Sequence, residues 1–303
     1  MKLDRYDIAI VGAGPAGMTA ALYAARAGKS VILFEGATYG GQIVQSSLVE
    51  NYPGAPDVDG YTLAEQMMAP LRRLDVEIVS AAVTRIEGFD GAFSLFTAKE
   101  RVAAKKVILS TGVTHRRLNV EGEDSLIGRG ISFCATCDGM FFRGREVAVV
   151  GGGNTAVQDA LVLSKICSRV YLIHRRDAFR AEERLVDQLR ATENIMLLTD
   201  TVITQAHGSF KLEALTLKNT KTDETSRLSV SGLFEAVGNI PQNAAFAELV
   251  ALDADGYILT NEHCETSAKG VFAAGDCRQK AVRQLTTATA DGTVAALAAS
   301  ESI

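Results

Sequence analysis

Histidine is scarce in this sequence, with four among 303 residues, at positions 115, 174, 207 and 263. A zinc centre normally needs four ligands at close spacing, and the chain offers one Cys-x-x-C, Cys134 and Cys137, with no second pair and no histidine pair beside it. No metal site is expected. Positive charge is also in deficit: 31 Lys and Arg against 36 Asp and Glu, a formal net charge of −5. That excludes a general nucleic-acid or anionic-membrane binder, since both require a basic face. Cysteine is sparse and odd in number, five in all, at 134, 137, 167, 264 and 277, which is not a disulfide framework. Linkers rich in Gly and Ser are missing, so any passage between domains is short. The uncharged stretch "IAIVGAGPAGMTAALYAA", from Ile8 to Ala25, has glycines and Pro15 in its first half, and Asp4 and Asp7 precede it. It fits neither a membrane span nor a signal peptide, and a cytoplasmic location is expected.

What the chain does have is repetition. "YDIAIVGAG", a helical stretch from Pro15 to Gly28 and "SVILFEG" read as strand, glycine turn, helix, strand. Residues 145–177, "REVAVVGGGNTAVQDALVLSKICSRVYLIHRRD", repeat that order. Glu35 and His174 stand equally far past the first glycines of the two turns, Gly12 and Gly151. Downstream of each, residues 93–112 and 210–238 read as β-meanders ending in an apolar strand and a glycine. The expected fold class is therefore α/β, with two Rossmann-like, three-layer nucleotide-binding domains carrying β-meanders. The remaining tail is too short for a third copy, so it completes the first domain and the second is an insertion. The expected boundaries are 1–112 and 244–303 for the first domain and 113–243 for the second.

The turns differ in chemistry. "GAGPAG" (Gly12, Gly14, Gly17) has the G-x-G-x-x-G spacing in the strand–helix context where backbone N–H groups meet a pyrophosphate. Glu35 stands where an acid accepts hydrogen bonds from an adenosine ribose. "GGGNTA" (Gly151, Gly153, Ala156) is the G-x-G-x-x-A variant, and His174, Arg175 and Arg176 replace the acid, with Arg180 following. Arginines there attract a 2′-phosphate that an acid would repel. Two dinucleotides, FAD on the acid-tipped turn and NADPH on the arginine-tipped one, are expected.

That context decides the cysteine pair. A haem attachment needs histidine where Asp138 stands. A structural staple closing so short a loop contributes roughly 2 kcal/mol and tends to be reduced in a cytosol. A disulfide made and broken in turnover is the expectation.

Together, "GAGPAG", "GGQ" (40–42), "ENYPG" (50–54), "STG" (110–112), "CATCDG" (134–139), "GGGNTAV" (151–157), "HRRDAFRA" (174–181), "VFAAGD" (271–276) and "RQLTTATADG" (283–292) resemble the low-molecular-weight NADPH-dependent thioredoxin reductases, in that family's order and over essentially the whole chain. The resemblance implies a homodimer with FAD in residues 1–112 and 244–303, and with NADPH and the redox pair in 113–243. It assigns FAD contacts to Gly12, Ala13, Gly14, Pro15, Ala16, Glu35, Gly36, Gly41, Gln42, Asn51, Thr111, Gly112, Gly275, Asp276, Arg283, Gln284 and Leu285. For NADPH it implies Gly153, Asn154, Thr155, His174, Arg175, Arg176 and Arg180. It makes Cys137 the flavin-facing sulfur, Cys134 the one that attacks thioredoxin, and Asp138 the proton donor. It also implies a hinge near 113–117 and 239–243. Cys277, beside Asp276, departs from the family and reads as a small buried hydrophobe. A ferredoxin-dependent or oxygen-dependent relative with another dithiol partner is the alternative reading.

Overall fold

The computed structural model describes residues 5–46, 48–55 and 57–303. Its backbone falls into two compact units, one comprising residues up to Thr114 together with Ile240–Ile303, the other His115–Asn239.

The first unit opens with β1 (Tyr6–Val11), α1 (Pro15–Arg26) and β2 (Val31–Phe34), then α2 (Gly60–Arg73), β3 (Glu77–Val79), β4 (Arg85–Phe89), β5 (Ala92–Phe96) and β6 (Arg101–Leu109). β1 and β2 are buried along nearly their whole length, as their continuous apolar runs require of parallel strands covered on both faces. The sheet order is β3-β2-β1-β6-β5-β4. β6 changes partner along its length: its first residues pair antiparallel with β5, while Val107–Leu109 pair parallel with a late strand. β7 (Val113–His115) follows and starts the passage out of this unit.

The second unit contains α3 (Glu123–Leu126), β8 (Ile131–Ser132), α4 (Ala135–Asp138), β9 (Glu146–Val150), α5 (Asn154–Ser164), β10 (Arg169–Ile173), α6 (Glu183–Arg190) and β11 (Ile195–Leu198). β12 (Thr201–His207), β13 (Ala214–Asn219) and β14 (Thr225–Ser229) form an antiparallel meander, and β15 (Gly232–Glu235) returns to the parallel sheet. That sheet runs β11-β10-β9-β15-β8. β16 (Asn239–Pro241) pairs with β7, and the first unit is completed by β17 (Val271–Ala273) and α7 (Leu285–Glu301). β17 is the late partner of β6, just as β8 lies beside β15. Both units thus share one Rossmann-like strand order, and the second is inserted in the first.

β15 carries one residue that its apolar neighbours do not announce. Glu235 is 4% exposed, and neither carboxylate oxygen has a hydrogen-bond partner among the described residues. Nearby Glu123 is also buried, but Arg117 and the Val120 N–H hold it below the usual carboxylate range despite that burial. Burial first, and the Glu123 charge second, push Glu235 up to about 8. A pKa raised in the folded state stabilises fully below the unfolded value of 4.5 and is lost as pH rises through about 8. Relative to Glu235→Gln, the wild type is expected to lose stability progressively between those two pH values. Parallel pH profiles of the unfolding free energy for the two proteins would show that Glu235 does not titrate in this way.

Candidate active site

In the first unit the site is built where β1 meets α1. Gly12 has φ +104°, and a Cβ there would lie 2.3 Å from the Ser110 carbonyl oxygen. A Cβ on Gly17 would lie 1.9 Å from the Gly12 carbonyl oxygen, so strand, turn and helix meet backbone to backbone. At Gly14 a Cβ would meet nothing, and Gly14 caps α1 with no side-chain hydrogen bond. No side chain caps the first N–H groups of this twelve-residue helix, which Pro15 begins.

Glu35 closes the turn from the end of β2, accepting the Ala13 N–H at 2.8 Å and the Ala37 N–H at 2.8 Å. Gly36 packs against Ala82, and Gly41 approaches the Gly14 backbone. The Gln42 side chain donates to the Val113 carbonyl. Asn51 and Gln284 are brought together at 3.4 Å, and Gln284 caps α7 ahead of Leu285. Thr111 donates to Asn243 at 2.8 Å, and Gly112 accepts the Gln242 N–H. Arg283 lies over the Tyr257 ring at 4.0 Å.

The turn after β17 carries the second feature. Asp276 follows Gly275, and its Oδ1 is buried with no hydrogen-bond partner among the described residues, though it is ion-paired with Lys280 at 3.6 Å. Burial pushes this carboxyl up, against the pull of Lys280 and Arg283. Sequence reasoning missed what holds the turn: Asp291 on α7 accepts Arg278 at 2.8 Å, Lys280 at 2.9 Å and the Gly275 N–H at 3.0 Å. Cys277 is fully buried among Phe246, Val250 and Ile258, and its thiol points at backbone carbonyls.

In the second unit the turn between β9 and α5 repeats the arrangement. Gly153 faces open space and caps α5 without a side-chain bond. Asn154 is tied to Glu182 in both directions, and Thr155 is exposed. His174 is buried against Gly152, where any Cβ would overlap its ring, and stacks on Phe179. Burial pulls its pKa down. Arg175, Arg176 and Arg180 are exposed, and none forms an ion pair with another described residue. The Arg180 N–H donates to the Gly152 carbonyl at 2.7 Å, drawing the arginine loop onto the glycine turn.

Cys134 and Cys137 are joined as a disulfide. Cys134 precedes α4, and the N–H groups of Cys137 and Asp138 return to its carbonyl at 3.2 and 3.1 Å. Burial pushes the Asp138 carboxyl up, opposed by a hydrogen bond from Ser132. No group of three metal-ligating side chains occurs among the described residues, and none of their helices is long and apolar enough to cross a membrane.

The fold and the paired turns define a class. Residues 6–292 match the model of the pyridine nucleotide-disulphide oxidoreductases, and the chain belongs to that family. Within it, the proteins similar to this chain include thioredoxin reductases. The chain is 40% identical over 304 residues to the thioredoxin reductase of Treponema pallidum, covering 100% of this chain and 98% of that one. A crystal structure of the thioredoxin reductase of Streptococcus pyogenes superposes with a TM-score of 0.96 at 39% identity, covering 99% of each chain. The thioredoxin reductase of Giardia duodenalis superposes at 0.93 with 35% identity, covering 98% of each. The resemblance carried by the motifs thus extends along the whole chain, and the chain is an oxidoreductase of the disulfide-reducing class.

The Gly17 contact makes a direct prediction. Gly17→Ala drives a methyl into backbone that has no room to yield and is expected to cost about 1–3 kcal/mol. Thermal unfolding checks it, and an unchanged midpoint would mean that the turn opens without strain.

Proposed function

We propose that the chain passes two electrons from NADPH, through bound FAD, to the Cys134–Cys137 disulfide and on to an oxidised thioredoxin, as a cytoplasmic homodimer. The observation that carries this reading is a disulfide followed at once by a half-buried carboxyl, in the unit whose glycine turn is flanked by three exposed arginines that form no ion pair among the described residues.

The residues fit both groups. For FAD, the uncapped start of α1 and the open face of Gly14 suit a pyrophosphate. Glu35 retains lone pairs for ribose hydroxyls, and the unsatisfied Asp276 Oδ1 suits a ribitol hydroxyl. Gly36, Gly41, Gln42, Asn51, Thr111, Gly112, Arg283, Gln284 and Leu285 line the remainder in this reading. For NADPH, Gly153 and the uncapped α5 suit the pyrophosphate, and the arginines suit the 2′-phosphate. Bound FAD supplies a carrier that takes up two electrons from a nicotinamide and releases them to a disulfide.

On the chain itself, two electrons entering the S–S bond break it and leave two thiolates. Burial favours the protonated form of Asp138, which gives its proton to Cys137 and becomes a carboxylate. The Cys134 thiolate attacks the partner's disulfide, releasing one partner thiolate and forming a mixed disulfide. Cys137 returns its proton to Asp138, attacks Cys134 Sγ and restores the internal disulfide, freeing the second partner thiolate.

The test is anaerobic. The purified yellow protein is expected to bleach with NADPH and then reduce thioredoxin, whereas Cys134→Ser bleaches but reduces none. Bleaching by reduced ferredoxin but not by NADPH would favour the alternative electron source. Neutralising Arg175 and Arg176 together removes charge-assisted bonds of about 1.5–3 kcal/mol each. NADPH affinity should fall while NADH affinity stays nearly constant; equal losses would show that the arginines do not read the 2′-phosphate.

A further inference from the structure

We propose that Ser132 is the positioning residue of the redox turn, fixing the Asp138 carboxyl and deciding which of its oxygens carries the proton. The inference rests on the reading of Asp138 as the proton donor. Ser132 is the last residue of β8 and pairs with Phe234 of β15, so the parallel sheet anchors its backbone outside the turn it serves. Its side chain is buried. From there Oγ accepts the Cys134 N–H at 3.1 Å and donates to Asp138 Oδ2 at 2.6 Å. The competing acceptor, the Cys134 carbonyl, is 3.5 Å away.

A hydroxyl has a single proton. With the Cys134 N–H occupying a lone pair and a carboxylate oxygen at 2.6 Å, that proton is committed to Oδ2. The acidic hydrogen of the neutral carboxyl therefore belongs on Oδ1, which gives the donor one direction. A hydroxyl donating to a carboxylate also favours the ionised form, so Ser132 moderates what burial does.

Few other charges surround the group. β8 and the turn Gly139–Phe142 carry no titratable side chain, and within α4 the one besides Asp138 is Cys137, held in the disulfide with Cys134. α5, packed against α4, contributes Asp159, which burial pushes up to about 7. β15 ends in Glu235. Phe133, between Ser132 and Cys134, carries the His115 ring stacked at 4.4 Å and the Arg117 guanidinium at 5.8 Å.

Carboxyl-carbon NMR of the oxidised holoenzyme, labelled at aspartate, tests the idea, with the Asp138 resonance assigned by its loss in Asp138→Asn. Ser132→Ala should raise the Asp138 titration midpoint by about one pH unit, while Ser132→Thr, which keeps the hydroxyl, stays near the wild-type value. An unmoved midpoint in Ser132→Ala, or an equal rise in both variants, overturns the proposal. The reading of Asp138 is tested separately: if Asp138→Asn keeps the wild-type pH–rate profile, the donor is another group, whatever the midpoints show.

Discussion

The closeness of backbone to backbone at the glycine turn constrains everything else in the first unit. Gly17 stands so near the Gly12 carbonyl that no side chain fits between them. α1 can therefore start directly over the end of β1, with its first N–H groups uncapped. α7 lies against α1 by the same means, since a Cβ on Gly292 would fall 2.2 Å from the Ala16 carbonyl. Small residues along both helices, Ala20, Ala24, Ala295 and Ala299 among them, are fully buried. Tight packing thus leaves a row of polar donors at the carboxyl end of a parallel sheet, where ligands of open α/β folds bind.

The second unit solves the same problem with different chemistry. In the first, a carboxylate reaches back to the turn and satisfies Ala13 directly. In the second, an aromatic ring, His174, fills the space over Gly152, and the loop behind it folds down through the Arg180 N–H. One arrangement presents negative charge beside the helix start and the other three exposed cations. Strand order alone does not distinguish the units; the residue at the end of the second strand does.

Much of this was legible because both turns obey strict rules. Continuous apolar runs mark β1, β2, β9 and β10, and Pro15 at the start of α1 marks its beginning. The short strands were less visible: β8 has two residues and β17 three, too few for any periodicity. Glu235 sits within "GLFEAVG", an apolar string in which one acid looks like a solvent-facing position, yet Arg117 and Glu123 enclose it from far along the chain. The network of Asp291, Arg278 and Lys280 was hidden for the same reason. Each partner is an ordinary charge in sequence, and the fold alone brings them to one turn.

The redox turn shows how local and distant constraints divide the work. The spacing of Cys134 and Cys137 lets the chain close on itself, and the N–H groups of Cys137 and Asp138 return to the Cys134 carbonyl. Those bonds do not, however, fix the direction of the carboxyl at the end of the turn. That direction comes from Ser132, whose backbone belongs to the sheet. In the proposed mechanism, fastening one side chain to the sheet would keep the proton in register with the disulfide as it opens and closes. There the cysteines would carry the electrons, and a serine two residues upstream of the first would set the geometry of the proton.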